Sequence, residues 1–262
     1  MPGVSAPQLV LSLFPGIGLL DRAFEEEGFC VVRGPDLLWG GDIKRFHPPA
    51  GRFDGVIGGP PCQAFSRLRH MVKANGYETA PNLIPEFERC VNEAAPLWFL
   101  MENVQDAPDP EVAGYFGWRE FIRDVWVGGE TNRLRKFYFG THAKAWPVGH
   151  HSHRLDIETL ALHRPDPEPA ALASGGMRDT PVAIGGSGKR KDRGAMNLRG
   201  YTSARVFRDH LRKQGLPPEF LCDAPFTIEG KVRAVGNGVP LPMGRAIARA
   251  VRDALDRSLV AA

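Results

Sequence analysis

Along the first half of the chain, short apolar runs alternate with stretches of helical spacing. Gln8 to Phe14 is apolar and short enough for a buried strand. Pro15-Gly16-Ile17-Gly18 breaks it, and Leu19 to Gly28 then carries Leu19, Leu20, Ala23 and Phe24 along one side of a helix. Phe29 to Arg33 reads as a second strand, Phe53 to Ile57 as a third and Leu97 to Met101 as a further one, with a helix over Leu83 to Ala95 before it. Gly117 to Val127 is mixed, with apolar patches at Phe121-Ile122 and Val125-Trp126-Val127. Thr131 to Gly140 starts polar and becomes a strand. Strands alternating with helices predict an α/β sheet.

The pattern then changes. From Thr141 to Gly200 regular spacing is lost and prolines and glycines are dense, which indicates loops and places a domain boundary near residue 140. Ala204 to Lys213 is a basic helix stopped by Gly215-Leu216-Pro217-Pro218. Ala234 to Pro240 reads as a turn, and Met243 to Ser258 as a closing helix. The predicted organisation is one unit over 1–140 and 233–262 with a second, small unit over 141–232.

Charge sharpens this division. Residues 1–130 carry 11 Lys/Arg against 18 Asp/Glu, and residues 131–262 carry 22 against 12. The densest stretch, 189–213, holds nine basic and two acidic residues. It is either a solvated face or a docking surface for a polyanion. Four scattered cysteines without metal-ligand spacing predict a reduced, cytoplasmic protein with no structural metal. The absence of a long apolar run predicts no membrane span.

Candidate chemistry collects in a few places. Gly58-Gly59-Pro60-Pro61-Cys62-Gln63-Ala64-Phe65-Ser66 follows the third strand, so a rigid Gly-Pro linker lifts one thiol off a strand end, where open α/β sheets bind ligands. A lone cysteine is otherwise a small buried hydrophobe. The strand, Gly16/Gly18 turn and helix form a nucleotide-cradling arrangement, although the third glycine of a dinucleotide fingerprint is missing. Asp36 lies about twenty residues past that turn, either as a ribose partner or as an ordinary turn aspartate. Asp42 marks a second acidic turn, Glu102 ends a strand beside the predicted pocket, and Arg133 and Arg135 share one face of an extended segment. Phe65 to Tyr77 is a basic loop able to close over a polyanion.

In order, these pieces resemble the cytosine-5 DNA methyltransferase family of prokaryotic or phage type. Phe14-Pro15-Gly16-Ile17-Gly18 resembles its cofactor turn, Gly59-Pro60-Pro61-Cys62-Gln63 its nucleophile motif, and Glu102-Asn103-Val104 and Arg133-Leu134-Arg135 the next two blocks. Thr180 to Gly186 resembles the turn that ends the recognition region, and Gln214 to Pro217 and Gly236 to Pro240 the closing blocks. The resemblance reaches nearly the whole chain except 141–178. It implies a Rossmann-like methyltransferase sheet with flanking helices plus a small, loop-rich DNA-recognition domain. The implied cofactor is S-adenosylmethionine (product S-adenosylhomocysteine), held by Phe14, Gly16, Ile17, Gly18, Asp36, Asp42, Ile43, Pro60, Asn237 and Val239. The implied catalytic residues are Cys62, Glu102, Arg133 and Arg135. Double-stranded DNA would meet Gln63, Ser66, Arg67, Arg69, Thr180, Lys189, Arg190 and Lys191. A monomer, with a restriction endonuclease as candidate partner, completes the expectation.

The chain departs from the family's pattern in places. Ser12 stands where aspartate is usual, Leu19 replaces a small residue, and Thr131 replaces a glutamine. The connection from the second strand to Asp42 is short enough to imply a missing helix. Other readings are an RNA cytosine methylase, an inactive DNA-binding homologue, and a cysteine hydrolase pairing Cys62 with His70.

Overall fold

The structure is a computed structural model describing residues 7–62, 65, 81–143, 154–160, 167–168, 170–171 and 204–260. Among the described residues six strands form one sheet: β1 (Leu9–Leu13), β2 (Cys30–Arg33), β3 (Gly55–Gly58), β4 (Trp98–Asn103), β5 (Tyr115–Arg123) and β6 (Leu134–His142), in the order β2-β1-β3-β4-β6-β5. β1 runs parallel to β2 and β3, and β3 parallel to β4, whereas β6 joins β4 antiparallel. Among the described residues the helices are α1 (Leu19–Glu26), α2 (Ile84–Ala94), α3 (Ala204–Lys213), α4 (Ile228–Asn237) and α5 (Leu241–Val260). The fold is the α/β Rossmann-like one expected.

The residues fall into two compact units, 1–122 with 134–158 and 245–262, and 123–133 with 159–244.

In the first unit the central strands β1, β3 and β4 bury both faces, as their unbroken apolar sequences require. Alternation sends Leu11, Leu13, Val56, Phe99 and Met101 into a core with Ile84, Phe87, Cys90, Val91 and Ala94 of α2. The opposite face carries Trp98, whose ring lies 6.2 Å from Phe24 of α1, 5.9 Å from Phe29 and 6.1 Å from Phe139. Along α5, Ile247, Ala248, Val251 and Ala254 are buried at helical spacing. Arg245 and Arg249 of that helix pair with Glu26 and Glu27 at 2.6 and 3.2 Å.

Two elements differ from the sequence reading. The mixed region holds the nine-residue strand β5, at the sheet's edge, with Phe116, Trp118 and Phe121 exposed. An edge strand with apolar side chains in water has no core periodicity to announce it. Ala234 to Asn237, read as a turn, is the last turn of α4. Thr227 caps that helix by accepting a hydrogen bond from the Gly230 N–H at 3.1 Å, and Gly236 lies buried inside it. Between β2 and β3 there are only short 310 turns at Leu37–Trp39 and Ile43–Arg45, which agrees with the expected loss of a helix.

Gly55 pairs with Trp98 across β3 and β4, and a Cβ there would overlap the Trp98 ring. Gly55→Ala is therefore expected to destabilise by about 1–3 kcal/mol, the usual cost of overpacking, measured as a lowered urea midpoint.

Candidate active site

The arrangement begins with strand register. Gly58 of β3 lies opposite Met101 of β4, so the next residues, Gly59 and Glu102, leave the parallel pair at the same level. A Cβ at Gly59 would come within 3.0 Å of Glu102 Oε2, so the backbone passes close to the carboxylate and a side chain there would push it aside. Cys62 follows, half-buried, on the loop that leaves β3.

That loop is tied at its root. Asn103, fully buried, donates from Nδ2 to the Pro60 carbonyl at 3.1 Å, and its Oδ1 accepts the Val104 N–H at 2.9 Å. Asn103 belongs to the Glu102-Asn103-Val104 block but had no assigned role; its neighbour Pro60 is known only from the fold.

Glu102 is opposite Phe137 in the antiparallel pair with β6, which makes Arg135 its diagonal neighbour on the same face. The Arg135 Nε lies 2.8 Å from Glu102 Oε1, with both side chains about one-seventh exposed (15% and 13%). The fold thus brings Glu102 and Arg135 into direct contact beside the cysteine loop. A partly buried pair of this kind persists only with good geometry, since desolvation consumes much of its Coulomb energy.

The glycine turn lies beyond β1. Asp36 accepts from the Gly16 N–H at 2.8 Å and from the Leu38 N–H at 2.7 Å, and the Trp39 indole donates to the Gly16 carbonyl at 2.7 Å. Asp36 is thus the support of the turn as well as a candidate ligand. Phe14 and Ile17 are half-buried at the same turn, and Gly18 is buried in the left-handed conformation (φ 77°). Asp42 is exposed and caps a 310 turn through the Lys44 N–H at 3.0 Å. Ile43 is buried in the hydrophobic core. Arg89 of α2 holds this loop from below, donating to the Ile43 and Phe46 carbonyls at 2.8 and 3.0 Å.

In the second unit, Arg133 is buried and donates to the carbonyls of Ala171 at 2.8 Å and Asn237 at 3.5 Å. Thr131 gives its N–H and hydroxyl to buried Asp124 at 3.0 and 2.7 Å. Gln214, also buried, donates to the carbonyls of Val235 and Gly238 at 2.6 and 3.0 Å, joining the two closing sequence blocks. Asn237 is exposed and Val239 buried. Gln63, Ser66, Arg67, Arg69, His70, Thr180, Lys189, Arg190 and Lys191 lie outside the described residues.

Residues 40–113 match the family model of C-5 cytosine-specific DNA methylases. The chain is similar to the Type II methyltransferase M.NgoPII of Neisseria gonorrhoeae, 32% identical over 124 residues that cover 39% of this chain and 35% of that one. It is similar also to M.FnuDI of Fusobacterium nucleatum, 28% identical over 160 residues, 50% of this chain and 46% of that one. The chain thus spans less than half the length of these curated relatives. Among solved structures, a DNMT2 variant of Spodoptera frugiperda superposes with a TM-score of 0.54 at 15% identity, covering 95% of this chain and 99% of that one. S. pombe Dnmt2 does so with a TM-score of 0.51 at 14% identity over 94% of this chain and 99% of that one. At such identities the likeness is one of fold.

One ion pair behind the site gives a pH dependence. Buried Lys136 of β6 donates to the Ala107 carbonyl and to Asp109 Oδ1, the latter at 2.8 Å, while Arg119 meets Asp109 Oδ2 at 2.6 Å. Partial burial pushes the Asp109 carboxyl up, but hydrogen bonds from Lys136 and Arg119 outweigh it and hold it below the usual carboxylate range. A depressed acid stabilises the fold fully above its unfolded pKa, about 4, and loses that contribution as pH falls through the lower folded value. Asp109→Asn is expected to cost about 2–3 kcal/mol at neutral pH, less than the usual penalty for stranding a buried charge because Asp109 is partly in water. Urea midpoints of the variant and the parent should converge as pH is lowered below about 4.

Proposed function

The chain belongs to the C-5 cytosine-specific DNA methylase family, and we propose that it is a DNA (cytosine-5-)-methyltransferase acting on a short sequence in double-stranded DNA. The observation that carries this reading is the Glu102–Arg135 pair, fixed at a strand end against Gly59, three residues before Cys62. A hydrogen-bonding carboxylate, a guanidinium and a thiol together suit an attack on a pyrimidine ring.

Cytosine C5 is a poor nucleophile until a group adds at C6. The Cys62 thiolate forms the Sγ–C6 bond, and the displaced π electrons make C5 an enamine carbon. Glu102, once protonated, donates its proton toward N3, where negative charge develops during addition, and Arg135 meets O2. Holding Glu102 against Arg135 before substrate arrives keeps both groups oriented. Once C5 has taken the methyl group, the proton on C5 passes to a solvent water, the electrons of that C–H bond re-form the C5–C6 double bond and Cys62 leaves as thiolate. The target carbon is unreachable within a duplex, so the base must be flipped out, at a cost of a few kcal/mol.

S-adenosylmethionine, when bound, supplies the methyl on its sulfonium. The residues at the carboxyl end of β1 suit such a group. Gly16, at φ 56°, has open space where a Cβ would stand, with nothing within 4 Å. Phe14 and the 58% exposed Trp39 flank the turn, and Asp36 retains lone pairs able to accept ribose hydroxyls. Asp42 stands on the next turn. These residues would bind a nucleoside.

Incubating the protein with S-adenosylmethionine and unmethylated plasmid, then bisulfite sequencing, is expected to protect cytosines in one short context. Uniform conversion would refute the proposal, and methylation of tRNA without duplex DNA would assign the RNA branch. In Cys62→Ala, transfer is expected to vanish while cofactor binding, followed by calorimetry, stays within about twofold of the parent.

A further inference from the structure

The glycine turn is held from a side that its own sequence does not reveal. Ser12, the next-to-last residue of β1, is buried, and its hydroxyl donates to Asp21 Oδ1 of α1 at 2.5 Å. Asp21 is 1% exposed, and its second oxygen lies 3.0 Å from Arg33 Nε, at the end of β2. The Arg33 guanidinium in turn covers Gly18, where a Cβ would come within 2.7 Å of it. Backbone bonds close the same figure: the Gly34 N–H donates to the Ser12 carbonyl, and the Gly18 N–H to the Pro15 carbonyl, each at 2.8 Å.

Between Ser12 and Asp21 lies the turn Phe14 to Gly18, flanked by Leu13 of β1 and by Leu19 and Leu20 of α1. It contains Phe14 at φ 56°, a left-handed conformation that costs a non-glycine residue on the order of 1–2 kcal/mol and persists only where the surroundings impose it. Asp36 grips one limb of this turn at Gly16. Asp21 grips its two ends, through Ser12 before it and through Arg33 over Gly18 after it. A buried carboxylate with one hydroxyl and one guanidinium partner is a costly group to keep in an apolar helix face, where Leu19, Ala23 and Phe24 are its buried companions. Burial holds its carboxyl above the usual carboxylate range, against the pull of the Ser12 hydroxyl and of Arg33. Packing alone would favour an apolar residue there.

We propose that Asp21 is a positioning residue for the cofactor turn: one carboxylate, shared by Ser12 and Arg33, keeps Phe14 to Gly18 in the shape that binds the nucleoside. The inference rests on the reading of this turn as the S-adenosylmethionine site. Asp21 touches no substrate. It acts through the backbone of the turn, so its loss shows in cofactor affinity and not in the chemical step. The carboxylate needs to stand between β1 and α1, but either side chain could carry it, because Ser12 and Asp21 are within one hydrogen bond of each other.

The test is direct binding of S-adenosylhomocysteine by calorimetry to the parent, Ser12→Ala, Asp21→Asn and the exchange Ser12→Asp/Asp21→Ser, with methyl transfer measured in parallel. Asp21→Asn is expected to weaken binding about tenfold or more and Ser12→Ala less, with KM for the cofactor rising and kcat at saturation within about threefold. The exchange is expected to recover most of the affinity. Should Asp21→Asn prove unfolded by circular dichroism, Ser12→Ala, which removes one hydroxyl only, carries the test. Equal affinity in all folded variants, or a loss confined to melting temperature, would overturn the proposal while leaving the function intact. A parent that binds no S-adenosylhomocysteine would overturn the site reading itself.

Discussion

β4 is the strand on which the arrangement of the first unit depends. It lies between a parallel neighbour, β3, and an antiparallel one, β6, and its six residues are almost wholly buried. The parallel register fixes the level at which the cysteine loop departs from Gly58. The antiparallel register fixes which β6 residue stands diagonal to Glu102. A slip of one residue in either pairing would send a full set of buried side chains to the wrong face, so the core enforces the register that the chemistry uses. The Glu102–Arg135 contact is thus a consequence of hydrophobic burial several residues away. Its own net energy is small, and its geometry is supplied by Trp98, Phe99, Leu100 and Met101.

The same economy explains the short passage from β2 to β3. A helix is absent there, and the chain instead turns twice in 310 conformation and inserts Ile43 into the core. Arg89 completes the replacement. Its guanidinium donates to the Ile43 and Phe46 carbonyls, to Glu86 at 2.8 Å and to Glu93 at 2.8 Å, so one planar group satisfies loop and helix together. Backbone groups that a helix would have bonded internally are met by a side chain from α2.

The sheet was legible in the sequence because its central strands are buried on both faces and show as plain apolar runs, and α1, α2, α3 and α5 were legible through period. β5 was not, since its apolar side chains face water and Gly117 sits where Tyr138 crosses. α4 was hidden by Gly230, Gly236 and Gly238, which suggest a break, although only Gly238 caps the helix. The candidate site was legible as residue types at strand ends. The ties that orient them were not: nothing in spacing announces that Asn103 reaches Pro60, that Gln214 reaches Val235, or that Ser12 meets Asp21.

Those ties divide the motif residues by what their polar atoms do. Asn103, Arg133 and Gln214 are buried and donate to main-chain carbonyls distant in sequence, each tying together two stretches of backbone in the interior. Asp36 performs the mirror task, accepting backbone N–H groups of its own turn and of Gly16. Cys62, Glu102 and Arg135 differ in kind: they sit at strand ends or on the loop beyond, partly exposed, with Glu102 and Arg135 joined chiefly to each other. A sequence motif therefore records two physical demands at once. One set of residues keeps irregular backbone satisfied where strands give way to loops, and the other set, in which Arg135 spares one donor for the Leu134 carbonyl at 2.9 Å, presents a thiol, a carboxylate and a guanidinium at the strand ends.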